Sequence, residues 1–284
     1  MLTPLHPLQY EPLLRDALTE DLGTAGDLTT DAVVDPGATA HGALVARAAG
    51  RVAGVDIAAA AFGVLDPGAA ITVLVADGTD VDAGTTLATV AGSARALLSA
   101  ERVALNLLGR LCGVATATAA LVAATAGHRA RIVPTRKTTP GLRTLERYAV
   151  RVGGGTDHRF GLGDGVLIKD NHIVVAGGIT PAVARARDRV GHMVRIEVEV
   201  DTLDQLDEVL ALGVDAVLLD NMTLDRLRDA VARVDGAMVT EASGGVVPTT
   251  VRAVAATGVD LISTGWMTHS APALDVGLDF GVTP

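Results

Sequence analysis

VRIEVEVDTLDQLDEVLALGVDAVLLDNMTLDRLRDAVARVDGAMVTEASGG, residues 194–245, alternates short β-rich runs with helical stretches. Its strand-like runs cover 194–200, 215–219 and 237–240, and a fourth follows at 260–263. They begin 21, 22 and 23 residues apart, a spacing that suits repeated βα units and a parallel sheet. Working back along the chain, 165–168 and 131–134 have the same character. No dinucleotide-binding glycine fingerprint follows any of these runs, which favours a barrel over a doubly wound sheet.

The first third reads differently. A short helix near residues 11–20 is followed by alternating segments at 42–47 and 70–75, joined by Gly and Pro turns, the pattern of a small α+β domain. Asp77-Gly-Thr-Asp-Val-Asp-Ala-Gly84 ahead of Thr85–Val90 has the form of a carrier-domain hairpin. With no lysine there to carry a cofactor, it is expected to be structural. From 93 to 126 Leu and Ala recur at helical spacing, with Gly109 and Gly113 as candidate breaks, in helices expected to link two domains.

Composition narrows the function. The 284 residues are 49% hydrophobic and 20% charged, enough for a substantial core. A net charge of -10 and an aromatic content of 2% leave neither a basic face nor a stacking platform for nucleic acid. Cys112 has no partner for an internal disulfide and sits in an apolar stretch, so it reads as a buried hydrophobe in a reducing cytosol. Acids and prolines near the N-terminus replace the basic and apolar regions of an export signal. The apolar run 111–127 falls short of the ~20 residues of a spanning helix and is expected to be buried. Lysine occurs only at Lys137 and Lys169, with arginine everywhere else. A lysine in such a chain points to a place where a compact, rotatable ammonium is wanted.

In a parallel α/β barrel the strand C-termini converge on one face. Taken in order they present Thr135-Arg136-Lys137, Lys169-Asp170-Asn171-His172, Glu199 and Asp201, Asp220-Asn221, Ser243-Gly244-Gly245 and Thr264-Gly265. A glycine-rich loop at 153–159 adds His158 and Arg159. Arg136, Lys137, His158, Arg159 and Lys169 together need a compensating anion, because like charges about 4 Å apart repel by several kcal/mol. The inferred ligand is polyanionic, although each arginine alone reads as a solvated surface charge and His158 alone equally as a neutral hydrogen-bonding group. Glu199 and Asp220 suit a magnesium ion or sugar hydroxyls, while Glu197 reads as a partner for Arg195. The two glycine turns at the last strands are either ordinary βα turns or backbone cradles for a phosphate.

The blocks 135–143, 153–159, 167–172, 196–200, 219–221 and 241–245 resemble the quinolinate phosphoribosyltransferases in order and spacing. The resemblance covers nearly the whole chain. It implies an N-terminal α/β sandwich over 1–112, with the tail 270–284 packing back on it, and an incomplete TIM-like α/β barrel over 113–269. It further implies a cytoplasmic, magnesium-dependent enzyme that joins quinolinate to phosphoribosyl pyrophosphate (PRPP), giving nicotinate mononucleotide, pyrophosphate and CO2. The family pattern is a homodimer with shared active sites, and a hexamer is compatible with it. By the same resemblance, Arg102 from the partner, Arg136, His158, Arg159 and Lys169 hold the quinolinate carboxylates, and Lys137 and Lys169 face pyrophosphate. Glu199 and Asp220 position the ribose and its magnesium, and Ser243, Gly244 and Gly265 receive the 5′-phosphate, with Thr135, Gly245 and Thr264 completing the binding set. Lys137, Lys169, Glu199 and Asp220 are the expected catalytic residues.

Overall fold

The computed structural model describes residues 3–281. Twelve strands occur among them: β1 (Thr39–Ala46), β2 (Gly50–Arg51), β3 (Ala70–Val73), β4 (Asp80–Val81), β5 (Thr86–Ser93), β6 (Arg131–Pro134), β7 (Val166–Ile168), β8 (Ile196–Val200), β9 (Ala216–Asp220), β10 (Val239–Ser243), β11 (Leu261–Thr264) and β12 (Val276–Phe280). They fall into two compact units.

The first unit comprises the residues up to Ala119, Thr138–Gly154 and those from Ser270 onward. Its antiparallel sheet has the order β12-β1-β5-β3, and β3 and β5 form the expected hairpin, with Ala70 opposite Ala91. The helices of this unit are α1 (Glu11–Leu22), α2 (Leu28–Val33), α3 (Val55–Leu65), α4 (Ala94–Ala124, which runs on past Ala119) and α5 (Arg143–Val152). Asp77, in the turn that resembled a carrier hairpin, has a structural task. Its carboxylate accepts the amides of Gly54 (2.7 Å) and Val55 (3.3 Å) at the start of α3, and the Tyr148 hydroxyl (2.7 Å). Such an acid satisfies orphan donors at a helix N-terminus.

Gly109 and Gly113 do not break the helix, contrary to expectation, and α4 runs unbroken for 31 residues. A Cβ at 109 would lie 2.8 Å from the Leu274 carbonyl oxygen, and one at 113 would lie 3.0 Å from Ala273 Cα. These glycines therefore serve close packing of the returning chain. Nor is the helix too short to span a membrane: it is long and apolar enough by composition, but its most apolar window is 61% buried within the protein. Cys112 is buried as expected, its Sγ accepting the Ala53 amide (3.3 Å), and burial pushes its thiol pKa up to about 12. The returning tail adds β12 to β1, with Leu44 opposite Leu278. The last part of the expected tail, 282–284, lies outside the described residues.

The second unit comprises Ala120–Lys137 and Gly155–His269. Its six strands are parallel in the order β6-β11-β10-β9-β8-β7. The sheet begins at β6 and ends at β7 with no ladder joining the two, as an incomplete barrel requires. Its helices are α6 (Asp170–Ala176), α7 (Ile179–Arg189), α8 (Leu203–Leu212), α9 (Leu224–Val234), α10 (Val251–Ala255) and α11 (Trp266–His269). Val133, Val198, Val217, Leu219 and Ile262 are fully buried, consistent with Val/Ile/Leu-rich strands covered on both faces. Thr202 and Thr223 cap α8 and α9, ending each strand-to-helix loop at a defined residue.

Candidate active site

Parallel register brings the strand ends to one edge: Ser243 lies opposite Asp220, and Thr264 opposite Pro134. A cavity of about 520 Å³ opens there, lined among others by Arg136, Lys137, His158, Arg159, Lys169 and Asp220. Thr135, Ser243, Gly244 and Gly245 also line it. A neighbouring cavity of about 210 Å³ shares Thr135, Lys137 and Ser243–Gly245 with it and adds Thr264 and Gly265. Of the residues singled out in the sequence, Arg102 lines neither cavity; it lies on α4 with its side chain 64% exposed, 3.8 Å from Glu101.

Lys169 follows β7 directly. Because Ile168 is opposite Val198, the next residue on each strand is brought level, and Lys169 Nζ pairs with Glu199 Oε2. Glu199 is buried and lines neither cavity, so its contribution is made through Lys169. Asp220 stands at the cavity wall and accepts from the Asn221 side-chain amide (2.6 Å). Burial raises its pKa, and Asp201 and Asp170 add to the rise, against the nearby ammonium groups of Lys169 and Lys137. A carboxylate so placed favours a cation at the cavity mouth.

Two glycine turns form part of the wall of the smaller cavity. Gly244 has φ +99° and Gly245 φ +61°, both in the left-handed region. Thr264 Oγ1 donates to the Val246 carbonyl (2.7 Å) and accepts the Trp266 amide (3.1 Å), which fixes the turn. Gly265 leaves room for Lys137, whose Cδ would lie 3.0 Å from a Cβ there. Thr135 Oγ1 accepts the Lys137 amide (3.0 Å), and Thr268 Oγ1 donates to the Lys137 carbonyl (2.9 Å), so both flanks of the lysine backbone are held.

Two carboxylates sit under the cations. His158 Nε2 lies 3.1 Å from Glu241 Oε2 and 3.4 Å from Glu197 Oε2. The expected partner for Glu197, Arg195, is exposed and precedes β8; the acid points to the interior and meets His158 instead. Burial alone would lower the His158 pKa, but hydrogen bonds and charge from Glu197 and Glu241 outweigh it and push it up to about 9. Burial, reinforced by the charge of Glu241, raises Glu197. The ligand atoms of the trio lie within 4.8 Å of one another, a spacing that would suit a metal. The Arg159 amide, however, donates to His158 Nδ1 (2.8 Å). In the singly protonated ring that this hydrogen bond requires, the proton is on Nε2, and the imidazole offers it to the carboxylates where a metal would need a lone pair.

Glu241 and Ser263 line the large cavity without having been singled out in the sequence. Glu241 Oε2 and the Ser263 hydroxyl are buried without a well-directed hydrogen bond. The signal that could have found both is the inward parity of their strands once the strand ends are known.

Residues 27–112 match the family model "Quinolinate phosphoribosyl transferase, N-terminal domain", and residues 114–279 match that of the C-terminal domain. A protein of Bacillus subtilis (strain 168), "Probable nicotinate-nucleotide pyrophosphorylase [carboxylating]", is 43% identical over 275 residues, covering 97% of this chain and 94% of its own. "Nicotinate-nucleotide pyrophosphorylase [carboxylating]" of Mycobacterium leprae (strain TN) is 44% identical over 273 residues, 94% of this chain and 95% of its own. Among solved structures, NadC from Streptococcus pyogenes superposes with a TM-score of 0.93 at 39% identity, covering 98% of this chain and 99% of the other.

Proposed function

The chain belongs to the quinolinate phosphoribosyltransferase family, and from this we propose how its residues carry out the family reaction. It joins quinolinate to PRPP and yields nicotinate mononucleotide, pyrophosphate and CO2, a step in NAD biosynthesis. The observation that carries the reading is the convergence of Arg136, Lys137, Arg159 and Lys169 on one cavity of an acidic protein. A dicarboxylate and a pyrophosphate together supply the anionic charge that this cluster calls for.

Displacement of pyrophosphate from the ribose passes through a cationic, oxocarbenium-like state, so the protein's work is to orient the ring nitrogen and to neutralise the leaving group. Arg136 and Arg159 serve the quinolinate carboxylates, and His158 supports Arg159 from the wall. Lys137 and Lys169 face the departing pyrophosphate. Gly244, Gly245 and Gly265, with Ser243 and the backbone of Thr264, receive the 5′-phosphate in the smaller cavity, and Thr135 holds the Lys137 backbone. Glu199 acts by keeping Lys169 in place, and Asp220 faces the ribose. Loss of the 2-carboxylate as CO2 then leaves its electron pair on the carbon beside a cationic ring nitrogen, where it takes up a proton from solvent to give the product, and no protein nucleophile is needed.

Magnesium belongs to this proposal. Glu199 is committed to Lys169, which leaves Asp220 as the carboxylate available to a cation. That donor set fits an ion held mainly by ligand phosphates with a single carboxylate contact, the usual manner for magnesium. When bound, the ion neutralises charge on the leaving pyrophosphate. A homodimer with Arg102 lent across the interface is also proposed. It is supported by the exposed guanidinium of Arg102 and by exposed apolar side chains at Leu162, Val174 and Val175. A hexamer built from such dimers is compatible with these exposed apolar side chains. Cytosolic residence is proposed on the free, buried thiol of Cys112.

The test is product formation from quinolinate and PRPP with magnesium, identified by mass spectrometry, with nicotinate as the alternative acceptor. Nicotinate mononucleotide from quinolinate alone is expected; product from nicotinate would identify a different acceptor acid, and none from either would overturn the proposal.

A further inference from the structure

The loop 155–165 carries His158 and Arg159 into the cavity, and its flanks are tied down locally. The Thr156 amide donates to the Ile132 carbonyl (2.8 Å) on β6, and the amides of Phe160 and Gly161 both donate to Asp164 Oδ2, the latter at 2.9 Å. The middle of the loop is held in another way. His158 turns one ring nitrogen down to Glu197 and Glu241 and the other along the chain to the Arg159 amide. Glu197 stands on β8 and Glu241 on β10, alternate strands whose side chains fill a common interior layer in barrels of this kind.

Glu197 lines neither cavity, and Glu241 reaches the wall of the large one with a nearly covered side chain. Glu241 is 1% exposed and the Glu197 side chain 12%. Two such acids together would be costly, and a single imidazole between them offsets part of that cost. The guanidinium groups of Arg159 and Arg136 and the ammonium groups of Lys169 and Lys137 line the same cavity above them.

We propose that Glu197 and Glu241 are positioning residues which, acting through His158, fix the backbone of Arg159 and hold its guanidinium at the cavity wall for the acceptor acid. The carboxylate pair sets the angle of the imidazole, and the imidazole sets the peptide that bears the arginine. This proposal rests on the quinolinate-binding role given to Arg159 above.

The test compares the native enzyme with Glu241→Gln and, as a second variant, Glu197→Gln, at pH values on both sides of 9. In both variants KM for quinolinate is expected to rise about tenfold, with KM for PRPP unchanged. In nitrogen-15 spectra of histidine-labelled protein, with His158 assigned through His158→Asn, the ring should titrate at lower pH in each variant. An unshifted ring titration, or KM values for both substrates rising together, would reduce the pair to packing and overturn the proposal. If the native enzyme forms no product from quinolinate, the proposed activity fails, and the ring titration, which needs no substrate, still decides the network.

Discussion

Asn221 occupies the space beside Gly244: a Cβ on residue 244 would lie 2.7 Å from the Asn221 Cγ and 2.9 Å from its backbone nitrogen. Asn221 is itself held with φ +52°, and its amide donates to the Ser243 carbonyl (3.0 Å). The end of β9 and the turn after β10 are thus fitted to each other. Gly244→Ala should lower kcat/KM for PRPP by about 10²-fold, the size of effect expected when a cradle shifts by a fraction of its width. Unchanged PRPP kinetics would show that this turn does not receive the phosphate.

Lys137 is held at both flanks of its backbone by Thr135 and Thr268, so its ammonium can be removed with little disturbance to the loop. Lys137→Ala should reduce kcat by about 10²- to 10³-fold and leave the circular dichroism spectrum unchanged. Near-native turnover would remove Lys137 from the chemistry.

Arg102 and Lys169 allow a test of the shared site. If Arg102 is lent to the partner, inactive Arg102→Ala and Lys169→Ala chains should form mixed dimers in which one of the two sites is complete. Random exchange predicts recovery of about a quarter of native activity. No recovery, with exchange verified by native mass spectrometry, would confine Arg102 to its own chain.

Glu146 is fully buried and binds Arg110 Nη2 at 2.7 Å, the Thr139 amide at 3.0 Å and the Thr139 hydroxyl at 2.7 Å. Removing one partner leaves the other charge stranded in low dielectric. Glu146→Ala should cost about 3–5 kcal/mol in denaturant unfolding, and a loss below about 1 kcal/mol would mean that Arg110 finds solvent readily.

The six barrel strands could be read because each is a short apolar run and the sheet buries both of its faces, so local composition and tertiary demand agree. The cations could be read because they follow those runs directly. Glu241 could not, since the run at 237–240 looked complete at Thr240 while β10 extends to Ser243 and turns Glu241 inward. Glu197 was assigned to Arg195, its sequence neighbour, because the histidine that claims it arrives from a distant loop. Gly109 and Gly113 looked like helix breaks because propensity carries no knowledge of the 272–274 backbone that presses on them. The role of Arg102 came from family resemblance, since an exposed helix arginine has no local mark of its own.

The pairing of β12 with β1 sets an order of events during synthesis. β1 has β5 on one side and β12 on the other, and β12 is translated more than two hundred residues after β1. Until the ribosome has released that segment, β1 is an open edge able to recruit other chains, and the groove over Gly109 and Gly113 is unfilled. The first unit therefore completes its folding after the second has been made, and conditions that slow or truncate translation should favour aggregation through this edge.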